Sequence, residues 1–135
     1  MDSDLFDEDH ELFRASVRGF VDRPFGERIG DFQAPGFVLA ELQTAIEVSR
    51  AYLDRCVRAY NRRTLTAVDA AKAKYWATEL QGRVIDASVQ LHGDYGYLPE
   101  YPVAKALIDA RIQRIYGGTN EIMREIIRRD LMATG

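Results

Sequence analysis

Two long stretches of helical periodicity, separated by a short turn, constrain the fold of this chain most. Apolar residues recur every three or four positions from about Gly36 to Arg63, and again from about Ala67 to Leu91. That spacing is typical of one face of an α-helix. At about 1.5 Å per residue, the first helix would be roughly 40 Å long. Because only Thr64 to Thr66 separate them, the two helices are predicted to lie antiparallel. Thr66, with Asp69 three residues later, is predicted to be the N-cap of the second helix.

Turn-forming residues delimit further helices on either side of this hairpin. Pro102 suits the first position of a helix that continues to about Ile115, and a last helix is predicted from about Thr119 to Met132. An amphipathic stretch from Asp7 to about Asp22 predicts a first helix, and a segment rich in Pro and Gly follows it. No segment alternates with the period of a strand over a useful length. We therefore expect an all-α, up-down four-helix bundle with an extra N-terminal helix.

Composition and charge exclude several classes of function. The net charge of −3 offers no general basic field for nucleic acid. No apolar run approaches the roughly 18 residues that span a bilayer, and the acidic N-terminus does not resemble a secretory signal. We therefore expect a cytoplasmic protein with no membrane partner. His10 and His92 lie far apart without the spacing of metal ligands, so no metal site is predicted.

Two glycine-containing turns are the local candidates for a site. Gly117 and Gly118 precede Thr119, which could simply end one helix and cap the next. Alternatively, the bare backbone makes room for a ligand, and the helix start presents N–H groups to an anion. His92 followed by Gly93 similarly reads as a helix end with a glycine cap. The arginines of the last helices alternate with acids, which favours an ion-paired surface over a phosphate patch.

The stretch AKYWATELQGRVIDASVQLHGDYGYLPEYPVAKALIDARIQRIYGGTNEIMREIIRRDL, from Ala73 to Leu131, closely resembles the C-terminal helical domain of acyl-CoA dehydrogenases, in particular the long-chain branch. PFGERIGDFQ, from Pro24 to Gln33, resembles the segment that opens that domain, and Asp7 to Arg23 resembles the family's first helix. The resemblance implies an N-terminal helix over residues 1–23 and a helical bundle over residues 24–135. Family members are longer and carry further helices and a β-domain between these pieces. Because the pieces here abut near Asp22–Pro24, the resemblance implies an internally deleted or degenerate relative, or an engineered excision.

The resemblance also implies a cofactor and a set of binding residues. The family uses FAD to remove two hydrogens from an acyl-CoA thioester, and the C-terminal domain contributes FAD contacts to a neighbouring subunit. Phe25 and Gln33 match family positions that contact the adenine-nucleotide half of FAD. Gln90 and Gly93 match the loop that lies against the pyrophosphate, and Thr119 and Glu121 match positions beside the nucleotide portion of the cofactor. Asp22 replaces a family arginine, and Asp94 replaces a family glycine beside the pyrophosphate position.

No catalytic residue is predicted. Many members carry a Glu base at the position of Gly117, whereas the long-chain and isovaleryl branches place the base on a helix further upstream. That helix is not recognisable here, so the resemblance nominates no carboxylate for proton removal. We expect a dehydrogenase-like chain that is not catalytic alone. Acyl-CoA is implied as its substrate only by the resemblance. The alternative is a non-catalytic helical assembly module, as a homo-oligomer (dimer or tetramer) or paired with a full-length relative.

Overall fold

The computed structural model describes residues 32–133, which form four α-helices and no strand. They are α1 (Gln33–Asn61), α2 (Ala67–His92), α3 (Pro102–Arg111) and α4 (Asn120–Ala133), with 3-10 turns at Gly93–Tyr97 and Ile112–Arg114. The predicted all-α helical bundle is confirmed, and Pro102 begins α3 as expected. No helix in this range is both long and apolar enough to cross a bilayer. The predicted N-terminal helix, the 23/24 boundary and Phe25 lie outside the described residues.

Helix α2 is the centre of the bundle, because α1, α3 and α4 all pack against it. Helices α2 and α3 supply most of the buried apolar side chains, and Cys56 adds a buried thiol from α1. The buried apolar residues are Cys56, Ala71, Leu80, Val84, Ile85, Val103, Ala104 and Ala110. Several are small, which allows the helices to approach closely. The position of any site along the axis of α2 therefore depends on which part of α2 each of the other helices contacts.

The corner between α1 and α2 is fixed by a hydrogen-bonded cap. The Thr66 hydroxyl accepts a hydrogen bond from the Asp69 backbone N–H (3.0 Å) and donates one to its carboxylate (2.8 Å). On α1, Arg55 and the Tyr52 hydroxyl donate to that carboxylate at 2.7 and 3.2 Å. The hydrogen bond from Thr66, followed by those from Tyr52 and Arg55, lowers the pKa of Asp69. The predicted N-cap at Thr66 is confirmed, and its partners tie the two helices together antiparallel.

Two helix ends differ from the prediction. Helix α1 begins at Gln33, before Pro35 and Gly36, because a proline in the first helical turn has no intrahelical N–H bond to lose. The first bond of α1 runs from the Gly36 N–H to the Phe32 carbonyl (3.0 Å). Helix α3 ends at Arg111 instead of continuing to about Ile115. There the chain tightens into a 3-10 turn, an arrangement common at helix C-termini.

Candidate functional site

The turn between α3 and α4 requires glycine at two successive positions. Gly117 and Gly118 have φ values of 65° and 94°, which L side chains rarely adopt. A Cβ added to Gly118 would collide with Met123 Cε, 2.6 Å away, whereas one added to Gly117 would meet nothing within 4 Å. The turn is therefore packed on the Gly118 side and open at Gly117.

The N-terminus of α4 is capped by Thr119, and the carboxylate of Glu121 lies beside it. The Ile122 N–H donates to the Thr119 hydroxyl oxygen at 3.3 Å. The Glu121 pKa is lowered by a hydrogen bond from its own backbone N–H, then by one from Thr119, with Arg124 and Lys74 nearby. A carboxylate of the chain itself therefore lies at the positive end of α4, and the binding of an anion by this helix start stays a prediction.

A buried asparagine anchors the turn to α2. Asn120 is only 2% exposed, and its Nδ2 donates to Glu79 Oε1 at 2.9 Å and to Thr78 Oγ1 at 3.0 Å. Its Oδ1 accepts a hydrogen bond from Lys74 Nζ at 2.7 Å. The same ammonium donates to the carbonyl oxygen of Gly118, also at 2.7 Å. Sequence reasoning missed this cluster, since its partners lie 41 to 46 positions apart and no local pattern pairs them.

The end of α2 forms the second candidate region. Gly93 ends the helix with a φ of 60°, and its N–H bonds back to the Gln90 carbonyl, which confirms the predicted glycine cap. A Cβ on Gly93 would meet nothing within 4 Å, and the Gln90 side chain is exposed. The neighbouring Asp94 is also exposed. This end of α2 is thus accessible, with a carboxylate beside it.

The structure divides the predicted site residues into two groups. Thr119 and Glu121 follow the turn anchored beside Lys74 and Glu79, whereas Gln90 lies eleven residues beyond Glu79 on α2. At 1.5 Å per residue, that is about 16 Å along the helix axis. We name Thr119 and Glu121 the turn group.

Gln33 belongs with the other end of the bundle. The antiparallel helices pair Ser49 with Trp76 through a 2.6 Å hydrogen bond, and Tyr52 with Asp69. Continuing this register along α1 places Gln33 at the level of the C-terminal end of α2. Gln33, Gln90 and Gly93 are named the end group; the predicted set is therefore not one cluster within a single chain.

The predicted ion-paired surface is present on α4 and its neighbours. Glu125 accepts hydrogen bonds from Arg128 at 2.7 Å and from Arg129 at 2.8 Å, and these lower its pKa to about 2. Arg114 and Arg124 both lie near Glu79, at 3.7 and 3.8 Å. These arginines are paired with acids, as the alternation of charges along the helices predicts.

A cleft of about 270 Å³ between α2 and α3 is separate from both groups. It is lined by Gly82, Arg83, Ile85, Asp86, Leu107, Ala110, Arg111 and Arg114. The Arg114 guanidinium crosses directly over Gly82, so that a Cβ there would overlap it. Within residues 32–133, no three His, Cys, Asp or Glu side chains gather in a way that could hold a metal ion.

Comparison with known proteins agrees with this helical architecture. The sequence model described as "Acyl-CoA dehydrogenase, C-terminal domain" matches residues 20–132. The chain belongs to the acyl-CoA dehydrogenase family. It is 49% identical over 125 residues to the mouse (Mus musculus) "Long-chain specific acyl-CoA dehydrogenase, mitochondrial", covering 91% of this chain and 29% of that protein.

Solved structures show the same fold. The crystal structure of acyl-CoA dehydrogenase from Geobacillus kaustophilus superimposes with a TM-score of 0.84 at 37% identity, over 90% of this chain and 32% of that one. An FAD complex of PigA superimposes with a TM-score of 0.82 at 25% identity, over 93% of this chain and 33% of that one. The chain thus spans about a third or less of the length of these relatives.

Proposed function

We propose that this chain supplies the helical, nucleotide-side part of an FAD site in an oxidoreductase that acts on acyl-CoA thioesters. The observation that carries the proposal is the pair of open glycine turns, at Gly93 and at Gly117, each next to residues at the family's cofactor positions. Membership of the family and the FAD complex of one structural relative support the choice of cofactor.

The chemistry of the two groups fits different parts of the cofactor. The end group offers the side-chain amides of Gln33 and Gln90 and the open backbone at Gly93, which suit the polar edges of a nucleotide. The turn group offers the Thr119 hydroxyl and the ionised Glu121, which can accept hydrogen bonds from sugar hydroxyls. When bound, FAD supplies the acceptor for the hydride that leaves the thioester's β-carbon.

The separation of the groups supports a site shared between two copies of the chain. The turn group and the end group lie at different levels of α2, and in the family a neighbouring subunit contributes FAD contacts. In a symmetric pair, each copy would then provide one group to each of two equivalent sites. We therefore propose a homo-oligomer, as a dimer or tetramer.

Exposed apolar side chains also favour association, and they support the second candidate function, a helical assembly module. Large apolar residues that are at least half exposed occur on α1, α3 and α4: Phe37, Val48, Tyr60, Ile108, Ile122, Leu131 and Met132. Such surface commonly marks an interface. A homo-oligomer, or a complex with a full-length relative, would cover it with or without a bound flavin.

We also propose that the chain does not turn over acyl-CoA by itself. Gly117, at the position of the Glu base of many family members, has no side chain with which to remove a proton. Glu121 is hydrogen-bonded at the start of α4, and Glu79 is engaged by Asn120 and two arginines. The family resemblance nominates no other carboxylate as the base, and the lost contribution of a general base is typically on the order of 10²–10⁴-fold in rate.

The proposal is tested by titrating the purified chain with FAD and following flavin absorbance and fluorescence. Saturable binding that weakens in Gln90→Ala is expected. Gln43→Ala, on the exposed middle of α1, is the matched control and should bind as the wild type does. An oligomer that takes up no FAD would support the assembly module instead.

A second measurement separates cofactor binding from catalysis. Adding an acyl-CoA to the FAD-loaded chain should leave the flavin oxidised, because no base is provided at Gly117. Rapid bleaching of the flavin would contradict the claim that the chain is inactive alone. The cytoplasmic location stays a prediction, since the mouse relative is named as mitochondrial.

A further inference from the structure

Lys74 reaches from α2 to two parts of the α3–α4 connection at once. Its ammonium donates to the Gly118 carbonyl and to Asn120 Oδ1, both at 2.7 Å. Charge-assisted hydrogen bonds of this length are among the stronger ones in proteins. The two acceptors lie 44 and 46 positions further along the chain, so the contact is tertiary and not part of a local cap.

The bond to Gly118 determines the direction of the next backbone donor. The residues described contain no cis peptide bond, so the peptide between Gly118 and Thr119 is trans and planar. Its C=O and N–H therefore point in opposite directions. Because Lys74 holds the carbonyl toward α2, the Thr119 N–H is directed away from α2.

The two glycines at positions 117 and 118 explain why the turn needs the hydrogen bond from Lys74 to stay ordered. Both residues have left-handed φ values, and glycine has more backbone freedom to lose on ordering than any other residue. Asn120 in turn holds the ammonium in place: its side chain is buried, and its Nδ2 is fixed by Glu79 and Thr78.

We propose that Lys74 is a positioning residue that fixes the Gly117–Gly118 turn, and with it Thr119 and Glu121, for the nucleotide. This inference rests on the proposed function, because the turn group is assigned to the FAD site there. Lys74 acts through the backbone of the turn and is not assigned a contact with the cofactor or the substrate.

The first test does not need FAD. Backbone ¹⁵N relaxation is measured for Gly117, Gly118 and Thr119 in the wild-type chain and in Lys74→Met, which keeps the apolar stem and removes the ammonium. The order parameters of these amides are expected to fall from about 0.85 to below about 0.6. Lys72→Met, an exposed lysine on the same helix, is the matched control and should leave them unchanged. Unchanged order in Lys74→Met would overturn the proposal.

The second test connects the turn to the cofactor. The Kd for FAD is expected to rise about tenfold in Lys74→Met, because FAD binding would then also have to order the backbone of roughly one residue. It should not change in Lys72→Met. Circular dichroism of both variants establishes that the helices are retained, so that lost binding reports on the turn. Equal affinity in wild type and Lys74→Met would also overturn the proposal.

The two tests separate this inference from the proposed function. If the wild type binds no FAD but Lys74→Met loosens the turn, the FAD proposal fails and the structural role of Lys74 stands. If FAD binds and Lys74→Met changes neither the order parameters nor the affinity, the FAD proposal stands and the role of Lys74 is refuted.

Discussion

Replacing Asn120 by alanine should destabilise the fold more than any exposed substitution on these helices. Its amide joins α4 to α2 through hydrogen bonds with Lys74 and Glu79, at 2.7 and 2.9 Å, and through Thr78. Alanine removes all of these bonds at a position that is only 2% exposed.

The magnitude follows from what each partner retains. A hydrogen bond to a charged group contributes about 1.5–3 kcal/mol, and Asn120 makes two of them. Lys74 keeps its bond to the Gly118 carbonyl, Thr78 keeps the Lys74 carbonyl at 2.9 Å, and Glu79 keeps its nearby arginines. No partner is left buried and unpaired, so the loss lies at the lower end of the sum. Alanine's higher helix propensity returns a few tenths of a kcal/mol. We expect a net loss of about 2–4 kcal/mol.

Urea denaturation of the full chain, followed by circular dichroism at one fixed protein concentration, measures this loss. The control is Asn61→Ala at the exposed end of α1, which should change the free energy of unfolding by no more than about 0.5 kcal/mol. If Asn120→Ala loses less than about 1 kcal/mol, or no more than the control, the cluster does not anchor α4 as we argue.

Further predictions concern the helix corner and two glycines. The lowered pKa of Asp69 adds stability that is fully present above its unfolded pKa, near 4, and is lost as pH falls through the folded value. The advantage of wild type over Asp69→Asn in urea denaturation should therefore shrink in acid; a difference independent of pH would contradict the ion pairing. Gly96→Ala should cost about 1–3 kcal/mol, because its Cβ would overlap the Val89 carbonyl oxygen. Gly82→Ala should stay within about 1 kcal/mol of wild type, since only the flexible Arg114 end must move and alanine favours the helix. Equal losses in the two alanine variants, measured by thermal unfolding, would refute this distinction.

Local patterns predicted the helices because the features that define them lie within a few residues of each other. Apolar spacing identified α1 and α2, and Thr66 and Gly93 marked the start and end of α2. The start of α1 and the end of α3 were not predicted correctly, because no strong local signal marks them. Pro35 lies before the start at about Gly36 that apolar spacing predicts, although the first turn of a helix tolerates proline, and the residues after Arg111 tighten without a sequence signal.

The candidate site was only partly accessible from sequence. The two glycine turns could be recognised from their residues, and the resemblance supplied cofactor positions for them. Their separation along α2 could not be predicted, since it depends on the level at which α4 meets α2. That level is set by contacts of Asn120 and Lys74 between positions more than forty residues apart. The hydrogen bonds that lower the pKa of Glu121 likewise form only at the folded start of α4.

The claim that two copies share each flavin site is tested most directly by complementation. One variant alters the end group (Gln33→Ala with Gln90→Ala), and the other alters the turn group (Thr119→Val with Glu121→Ala). Each alone should bind FAD weakly. When the two are unfolded and refolded together in equal amounts, half of the dimers are mixed and each mixed dimer has one intact site, so about a quarter of all sites should recover wild-type affinity. FAD binding by the mixture that merely equals the average of the two separate variants would contradict a shared site.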